Sequence, residues 1–291
     1  GPLTYGVPQG SILGSLLFLL YVKDLPQAIK SELLLYADDS CVLFQHKNVN
    51  NIEEQLNEDF SNLCDWFVDN KLSIHFGEDK TKSILFASKW KVKKANKLKI
   101  TYKSYLGCLL DETLSGESMA LNVINKISSK IKFLYRNNRF LTPNLRRLLC
   151  NSLIQPHFDY ACSTWYPCLT QTLKNKIQVM QNKCIRFCLQ LDNRSHIGIE
   201  EFEKINWLNT QDRYKQNICT VVHKFFHGQC PFYISEIFDT VQESERITRF
   251  SYLKLKQPFR KTNMGQKSIS YTGRGEWNKL TNDLTICQSI N

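Results

Sequence analysis

Apolar spacing shifts repeatedly along the chain, and each shift marks an element. The opening GVPQGSILGSLLFLLYVKDLP (6–26) begins with glycines and a proline, becomes densely apolar from Leu16 to Val22, and ends at Pro26. That pattern predicts a turn and then a buried helix over roughly residues 12–23. ELLLYADDSCVLFQH sets two apolar runs of strand length around Ala37, Asp38 and Asp39, the mark of a tight hairpin. In NIEEQLNEDFSNLCDWFVDN, Ile52, Leu56, Phe60, Leu63 and Phe67 fall at helical spacing, with acids on the other face. TKSILFAS and KLKITYKSYLGCLL read as two more strands, joined by the lysine-rich KWKVKKANK. These elements predict an α/β unit with a mixed sheet.

After Ser118 the texture turns helical. Ile124, Ile127, Ile131 and Leu134 form a narrow apolar stripe, while Lys126, Lys130, Lys132, Arg136 and Arg139 fall on the opposite arc. TPNLRRLLCNSLIQP predicts a helix with a threonine cap and proline in its first turn, stopping at Pro156. TLKNKIQVMQNKCIRFCL is a further basic amphipathic helix. The last hundred residues alternate predicted helices (200–227) with a less regular, more polar tail.

Charge sharpens this division. Of 291 residues, 38 are basic and 27 acidic, a net of +11. Residues 118–191 carry 11 basic side chains and one acid, Asp159, so this segment holds nearly all the excess. A solvated surface accounts for such a block as readily as a polyanion partner does. The 11 cysteines are scattered and contain no Cys-x-x-Cys pair, which points to reduced thiols in an intracellular protein. The longest apolar run, Leu16–Val22, is too short to cross a bilayer, so no membrane association is expected.

Two adjacent aspartates at a turn need no function, because Asp suits turns. Here, however, they lie between apolar strands, behind a glycine-rich helix start and ahead of a basic helical segment. Clustered carboxylates on a rigid platform bind Mg²⁺, and two such ions can clamp the attacking and leaving oxygens of phosphoryl transfer. Cys219, His223, His227 and Cys230 are spaced as zinc ligands could be, but His227-Gly228 reads better as a helix stop. Tyr160, Trp165 and Tyr166 suit packing between helices better than base stacking. His75 has no acidic partner within reach by sequence.

GVPQGSILGSLLF, LLYADD, KLSIHFGEDKTKSILF and YLG stand in the order and approximate spacing of reverse transcriptases. The chain resembles those of non-LTR (LINE-type, jockey-like) retrotransposons, strongly over 2–109 and more loosely thereafter through SLIQPHFDYACSTWY, KIQVMQNKCIRF and WNKL. The resemblance implies an RNA-directed DNA polymerase that transfers nucleotides from dNTPs to a primer 3′-OH on an RNA template, with Mg²⁺ at a two-metal site. Asp38 and Asp39 would be the metal-binding palm carboxylates. Tyr36, Ala37, Pro8, Gln9 and Gly10 would line the nucleotide and template. Lys80 would assist the leaving pyrophosphate, and Tyr105, Leu106 and Gly107 would grip the primer. Lys126, Lys130, Lys132, Arg136 and Arg139 would track duplex phosphates. Ser15 and Lys23 depart from the family pattern without touching the chemistry, and Thr281 stands where proline usually follows WNKL.

The fold class implied is α+β: a partial polymerase palm (1–109) with a mixed sheet and the Tyr-Ala-Asp-Asp hairpin, an all-α thumb-like basic region (110–195), and a mostly helical C-terminal region (196–291). The family's other metal-binding Asp is expected upstream of Gly1. The chain is therefore expected to be a fragment, inactive alone with an incomplete metal site. Its parent is expected to act in the nucleus or cytoplasm. The competing expectation is a non-catalytic basic nucleic-acid-binding relic or domesticated protein.

Overall fold

Two short hairpins and a long series of helices form the chain in a computed structural model that describes residues 6, 10–75, 80–87, 102–238 and 254–280. Two units separate, Gly1–Ile84 with Trp90–Lys99, and Leu85–Lys89 with Ile100–Asn291.

In the first unit, helix α1 covers Gly14–Tyr21. Strands β1 (Glu32–Tyr36) and β2 (Asp39–Leu43) pair antiparallel, with Leu33 opposite Val42 and Tyr36 opposite Asp39. Helix α2 runs over Val49–Asp69, and the Asn48 side chain accepts from the Asn50 N–H at its start. The core here is small: Leu25, Ile29 and Leu63, with Leu33, Leu35, Val42, Trp66 and Phe67 packed around them. Hairpins of two strands are marginal alone, so α2 supplies the apolar backing for β1 and β2.

A buried acid holds this arrangement. Asp59, on the inner side of α2, accepts from the backbone N–H groups of Lys30 (3.0 Å) and Ser31 (3.2 Å), the Ser31 hydroxyl, and Gln55 Nε2. Burial works to raise its pKa, but those bonds hold the carboxyl below its ordinary value. The chain is thereby pinned to α2 immediately before β1.

Several expectations are corrected here. The helix predicted to be buried forms over Gly14–Tyr21, yet Leu13, Leu16, Leu17, Leu19, Leu20 and Tyr21 are exposed and only Gly14 is buried. An all-round apolar run fixes the helix but not what lies against it. On α2 the acids do not all face solvent, and Phe60 is exposed while Asp59 is buried. Among the described residues there is no mixed sheet, only two separate two-stranded antiparallel ones. Residues 82–87 of the predicted TKSILFAS strand join no ladder; Ala87 makes a single backbone bond to Glu112 O (3.2 Å).

In the second unit, the described part of the predicted KLKITYKSYLGCLL strand, from Tyr102 on, forms a hairpin rather than one strand; residues 97–101 lie outside the described residues. Strands β3 (Tyr102–Tyr105) and β4 (Cys108–Asp111) turn at Leu106 and Gly107, both in the left-handed region (φ 47° and 77°). This Leu-Gly pair permits the two-residue turn whose twist suits adjoining strands. The helices follow: α3 (Glu117–Arg136), α4 (Pro143–Leu153), α5 (Gln155–Asp159), α6 (Cys162–Trp165) and α7 (Gln171–Leu189). Then come α8 (Ile199–Ile205), α9 (Thr210–Phe226), α10 (Phe232–Ser235), α11 (Asn263–Lys267) and α12 (Ile269–Trp277).

Threonine caps start α4 and α7: Thr142 and Thr170 accept from the Leu145 and Leu173 N–H groups. α3 buries Met119, Ala120, Val123, Ile127, Ile131 and Leu134 within a core shared with Ile177, Cys184, Ile185 and Phe187 of α7. Ile124, expected in the stripe, is only half-buried. Cys150, Cys162, Cys184 and Cys188 form no disulfide and are buried, while the other described cysteines are half-buried rather than deep in the core. A second cluster joins Val222 of α9 to Phe238, Leu255 and Trp277.

The joint between β4 and α3 is the tightest local structure. The Asp111 carboxylate accepts from the Thr113, Ser115 and Gly116 N–H groups and from both hydroxyls of Thr113 and Ser115, at 2.8–3.1 Å. Gly116 adopts φ +73°, and a Cβ there would lie 2.6 Å from the Trp165 carbonyl oxygen. Backbone cannot yield as a flexible side chain can. We expect Gly116→Ala to lose about 2–4 kcal/mol in urea unfolding, from left-handed strain together with the overlap. A loss below about 1 kcal/mol would show that this joint tolerates rearrangement.

Candidate functional site

The sequence-predicted site residues fall in both units. In the first unit, the turn of the β1–β2 hairpin is Ala37-Asp38, and Asp39 begins β2. Ala37 sits at φ 52°, a conformation that costs a residue with a Cβ on the order of 1 kcal/mol. Tyr36, Ala37, Asp38 and Asp39 are all exposed. Neighbouring anions there are separated by water-rich surroundings rather than buried together. One face of the strands, Leu33, Leu35 and Val42, is half-buried against the α2 side, while Leu34, Tyr36 and Leu43 on the other face remain open. The platform is therefore less deeply buried than its apolar flanks predict.

A hard cation is the natural counter-charge for two carboxylates at one tip. Among the described residues no three His, Cys, Asp or Glu side chains gather as metal ligands. The hairpin fits Mg²⁺ only as part of a larger oxygen set. Gly10 lies at φ +83° with open space where a Cβ would be, Lys80 is exposed beside a turn, and Pro8 and Gln9 lie outside the described residues.

In the second unit, Tyr105, Leu106 and Gly107 form the end of the β3–β4 hairpin. Nothing in the sequence signals that Tyr160 would brace it. Its hydroxyl donates to the Leu106 carbonyl, and its ring lies 3.7 Å from where a Gly107 Cβ would stand. Trp165 Nε1 in turn donates to the Tyr160 carbonyl (3.0 Å). Trp165 and Tyr166 are buried, as their packing role predicts, whereas Tyr160 is 51% exposed.

The basic arc divides into three kinds of group. Lys126, Lys132 and Arg136 are exposed on α3. Lys130 is half-buried and donates to the Leu153 carbonyl (3.1 Å), tying α3 to the end of α4. Arg139 is not on α3 at all: it lies in a short 3₁₀ turn, Asn138–Phe140, with its guanidinium 4.5 Å from the Phe140 ring centroid. A helical wheel carried past the end of α3 at Arg136 misplaces it. His157 of α5 faces the same cations, and its pKa is lowered by burial and then by Lys130 and Lys126. The lone acid of this segment, Asp159, is not free to offset them, because Arg213 binds both of its oxygens (2.6 Å for Nη2). The rings of His223 and His227 lie tilted at 42° to each other, with centroids 4.2 Å apart, and the Trp277 ring centroid is 6.3 Å from that of His223.

Comparison with known proteins gives this geometry its context. Residues 2–134 match the family described as "Reverse transcriptase (RNA-dependent DNA polymerase)". The chain is similar to the "Probable RNA-directed DNA polymerase from transposon X-element" of Drosophila melanogaster, 25% identical over 195 residues, covering 62% of this chain and 21% of that protein. It is also similar to the "RNA-directed DNA polymerase from mobile element jockey" of Drosophila funebris, 26% identical over 200 residues, with 62% and 21% covered. A third relative is the "Probable RNA-directed DNA polymerase from transposon BS" of Drosophila melanogaster, 24% identical over 200 residues, with 62% and 22% covered. The chain thus spans about a fifth of the length of these relatives. No solved structure matches. Among the described residues no helix is long and apolar enough to cross a membrane. Residues 2–134, which carry the Tyr-Ala-Asp-Asp turn, thus match the reverse-transcriptase family, and the relatives named are RNA-directed DNA polymerases of transposons and mobile elements.

Proposed function

We propose that this chain contributes part of an RNA-directed DNA polymerase, with dNTPs, an RNA template and a DNA primer as substrates. The observation that carries the reading is Tyr36-Ala37-Asp38-Asp39 at a two-residue hairpin turn inside the matched span. Asp38 and Asp39 would hold Mg²⁺, Asp38 as the more direct ligand. The ions, when bound, would lower the cost of charge on the attacking and leaving oxygens. The residues themselves do the positioning. Ala37 and Tyr36 would lie beside the primer end and incoming nucleotide, and Gly10 would let backbone approach the base pair without a Cβ in the way. Lys80 would neutralise or protonate the leaving pyrophosphate. Tyr105, Leu106 and Gly107, braced by Tyr160, would hold the primer.

The α3 face would take the duplex. Phosphate contacts are sequence-tolerant and release counterions, and Lys126, Lys132 and Arg136 are the exposed cations on that face. A reading as a nucleic-acid-binding protein without catalysis rests on the same exposed cations. Both readings share the binding face and part on synthesis.

Three outcomes are expected. On labelled duplex, affinity should fall with salt, and Lys126→Gln, Lys132→Gln and Arg136→Gln together should flatten the log–log slope by about 0.9 for each phosphate no longer neutralised. Salt-independent binding would remove the thumb-like role. In primer extension with Mg²⁺ and dNTPs, the 291-residue chain should bind primer–template yet make no product. Template-dependent extension abolished by Asp38→Asn would show that the metal site is complete. Finally, His157 should titrate below an ordinary histidine in the free protein. Phosphates set against Lys126 and Lys130 should move its midpoint upward, because neutralised neighbours no longer oppose the imidazolium. NMR titration with and without duplex reads that shift, and an unmoved midpoint would take the duplex off this face.

A further inference from the structure

Outside the hairpins and the α3 face, the second unit holds a cavity of about 340 Å³ between α7, α9, α11 and α12. Its walls carry four lysines, Lys174, Lys215, Lys267 and Lys279, against a single carboxylate, Glu276. Two of these cations are already satisfied: Lys279 pairs with Glu276 (2.8 Å), and Lys215 with Asp212 (2.9 Å). Lys174 and Lys267 have no carboxylate partner among the described residues. Lys174 lies 5.3 Å over the Tyr166 ring, and Lys267 donates only to the Cys168 carbonyl (3.1 Å).

The unpaired cations are close enough to oppose each other. Burial, and then Lys267, lowers the pKa of Lys174. Two half-buried ammonium groups facing one cavity without a counter-anion are costly unless something negative enters. The walls are otherwise aromatic and uncharged: Tyr166 is buried and stacks on Tyr214 (centroids 5.2 Å apart), and Tyr271 lies opposite on α12. The volume is at the small end of ligand sites. It suits a phosphate group with part of what it is attached to, not a whole macromolecule.

We propose that this cavity binds a phosphate group, held by Lys174 and Lys267, which are not among the residues assigned to the hairpins or the α3 face. The same oxyanion could come from a small phosphate compound or from a nucleic-acid strand passing over the cavity. Lysine is suited to the role as a point charge with rotatable donors. The proposal does not depend on DNA synthesis by this chain and survives if the polymerase reading fails.

The test is a calorimetric titration of the full chain with inorganic pyrophosphate and, separately, with a single-stranded RNA oligonucleotide. Lys174→Gln with Lys267→Gln should weaken binding at least about tenfold, the loss expected for two charge-assisted contacts. Lys176→Gln with Lys183→Gln, on the same helix but outside the cavity, should leave pyrophosphate binding unchanged. Circular dichroism and melting check folding, and Lys267→Gln alone serves if the double variant unfolds. Saturable pyrophosphate binding lost in the cavity variant supports a small-phosphate ligand. Oligonucleotide binding lost there, with pyrophosphate inert, supports a strand phosphate. Absence of binding by both probes, or equal weakening by the control pair, overturns the proposal.

Discussion

Asp111 is the constraint on which most of the helical unit depends. A carboxylate with five donors around it is a strong local organiser, because it fixes the directions of three backbone N–H groups at once. Burial alone would push its pKa up, yet the Ser115, Thr113 and Gly116 donors hold it below the ordinary Asp value. The acid therefore stays ionised, which is the state the joint requires. The turn it shapes delivers Gly116 to the Trp165 carbonyl at a distance only glycine tolerates, and α3 starts there. The heading of α3 relative to the β3–β4 hairpin, and so where its basic side points, follows from this one side chain.

From that start, α3 separates two tasks by geometry. Its apolar stripe is consumed in the core with α7, which leaves the opposite arc solvated and free of acids. Segment 118–191 contains one acid, and that acid is claimed by Arg213 from α9. The basic field over α3 is thus left uncompensated by the packing and not merely by composition. Lys130 and His157 show the limit of reading charge as surface: one is spent on a helix-end carbonyl, the other is held toward neutrality by burial and then by its cationic neighbours.

Local chemistry is legible in the sequence, and non-local packing is not. The Ala-Asp-Asp turn, the Thr142 cap and the periods of α2, α3 and α7 are written in a few adjacent residues, so they can be found there. Asp59 and Asp111 escape sequence reasoning because an acid in a helix face or strand end looks solvated until its distant or turn-forming donors are known. Tyr160 escapes as a brace because its partner, Leu106, is 54 residues away. The mixed sheet is not found among the described residues for a related reason: residues 102–111 fold back at Leu106-Gly107, a turn hidden inside an apolar run, and pair with their own neighbours. Arg139 is misplaced because periodicity alone does not announce where a helix ends.

The Asp38–Asp39 pair shows why a site can be chemically plain and structurally demanding. Exposed at a turn, the two carboxylates need no burial and no partner to be stable; water screens them. What costs energy is the turn itself, since Ala37 takes a left-handed conformation that glycine would adopt without penalty. A Cβ kept where glycine would be easier narrows the conformations open to the turn, and thereby to Asp38 immediately after it. The hairpin gives up some stability for a turn with fewer backbone conformations open to it. The small core beneath it, anchored by Asp59 before β1, holds the two strands through Leu33, Leu35 and Val42, packed on the α2 side.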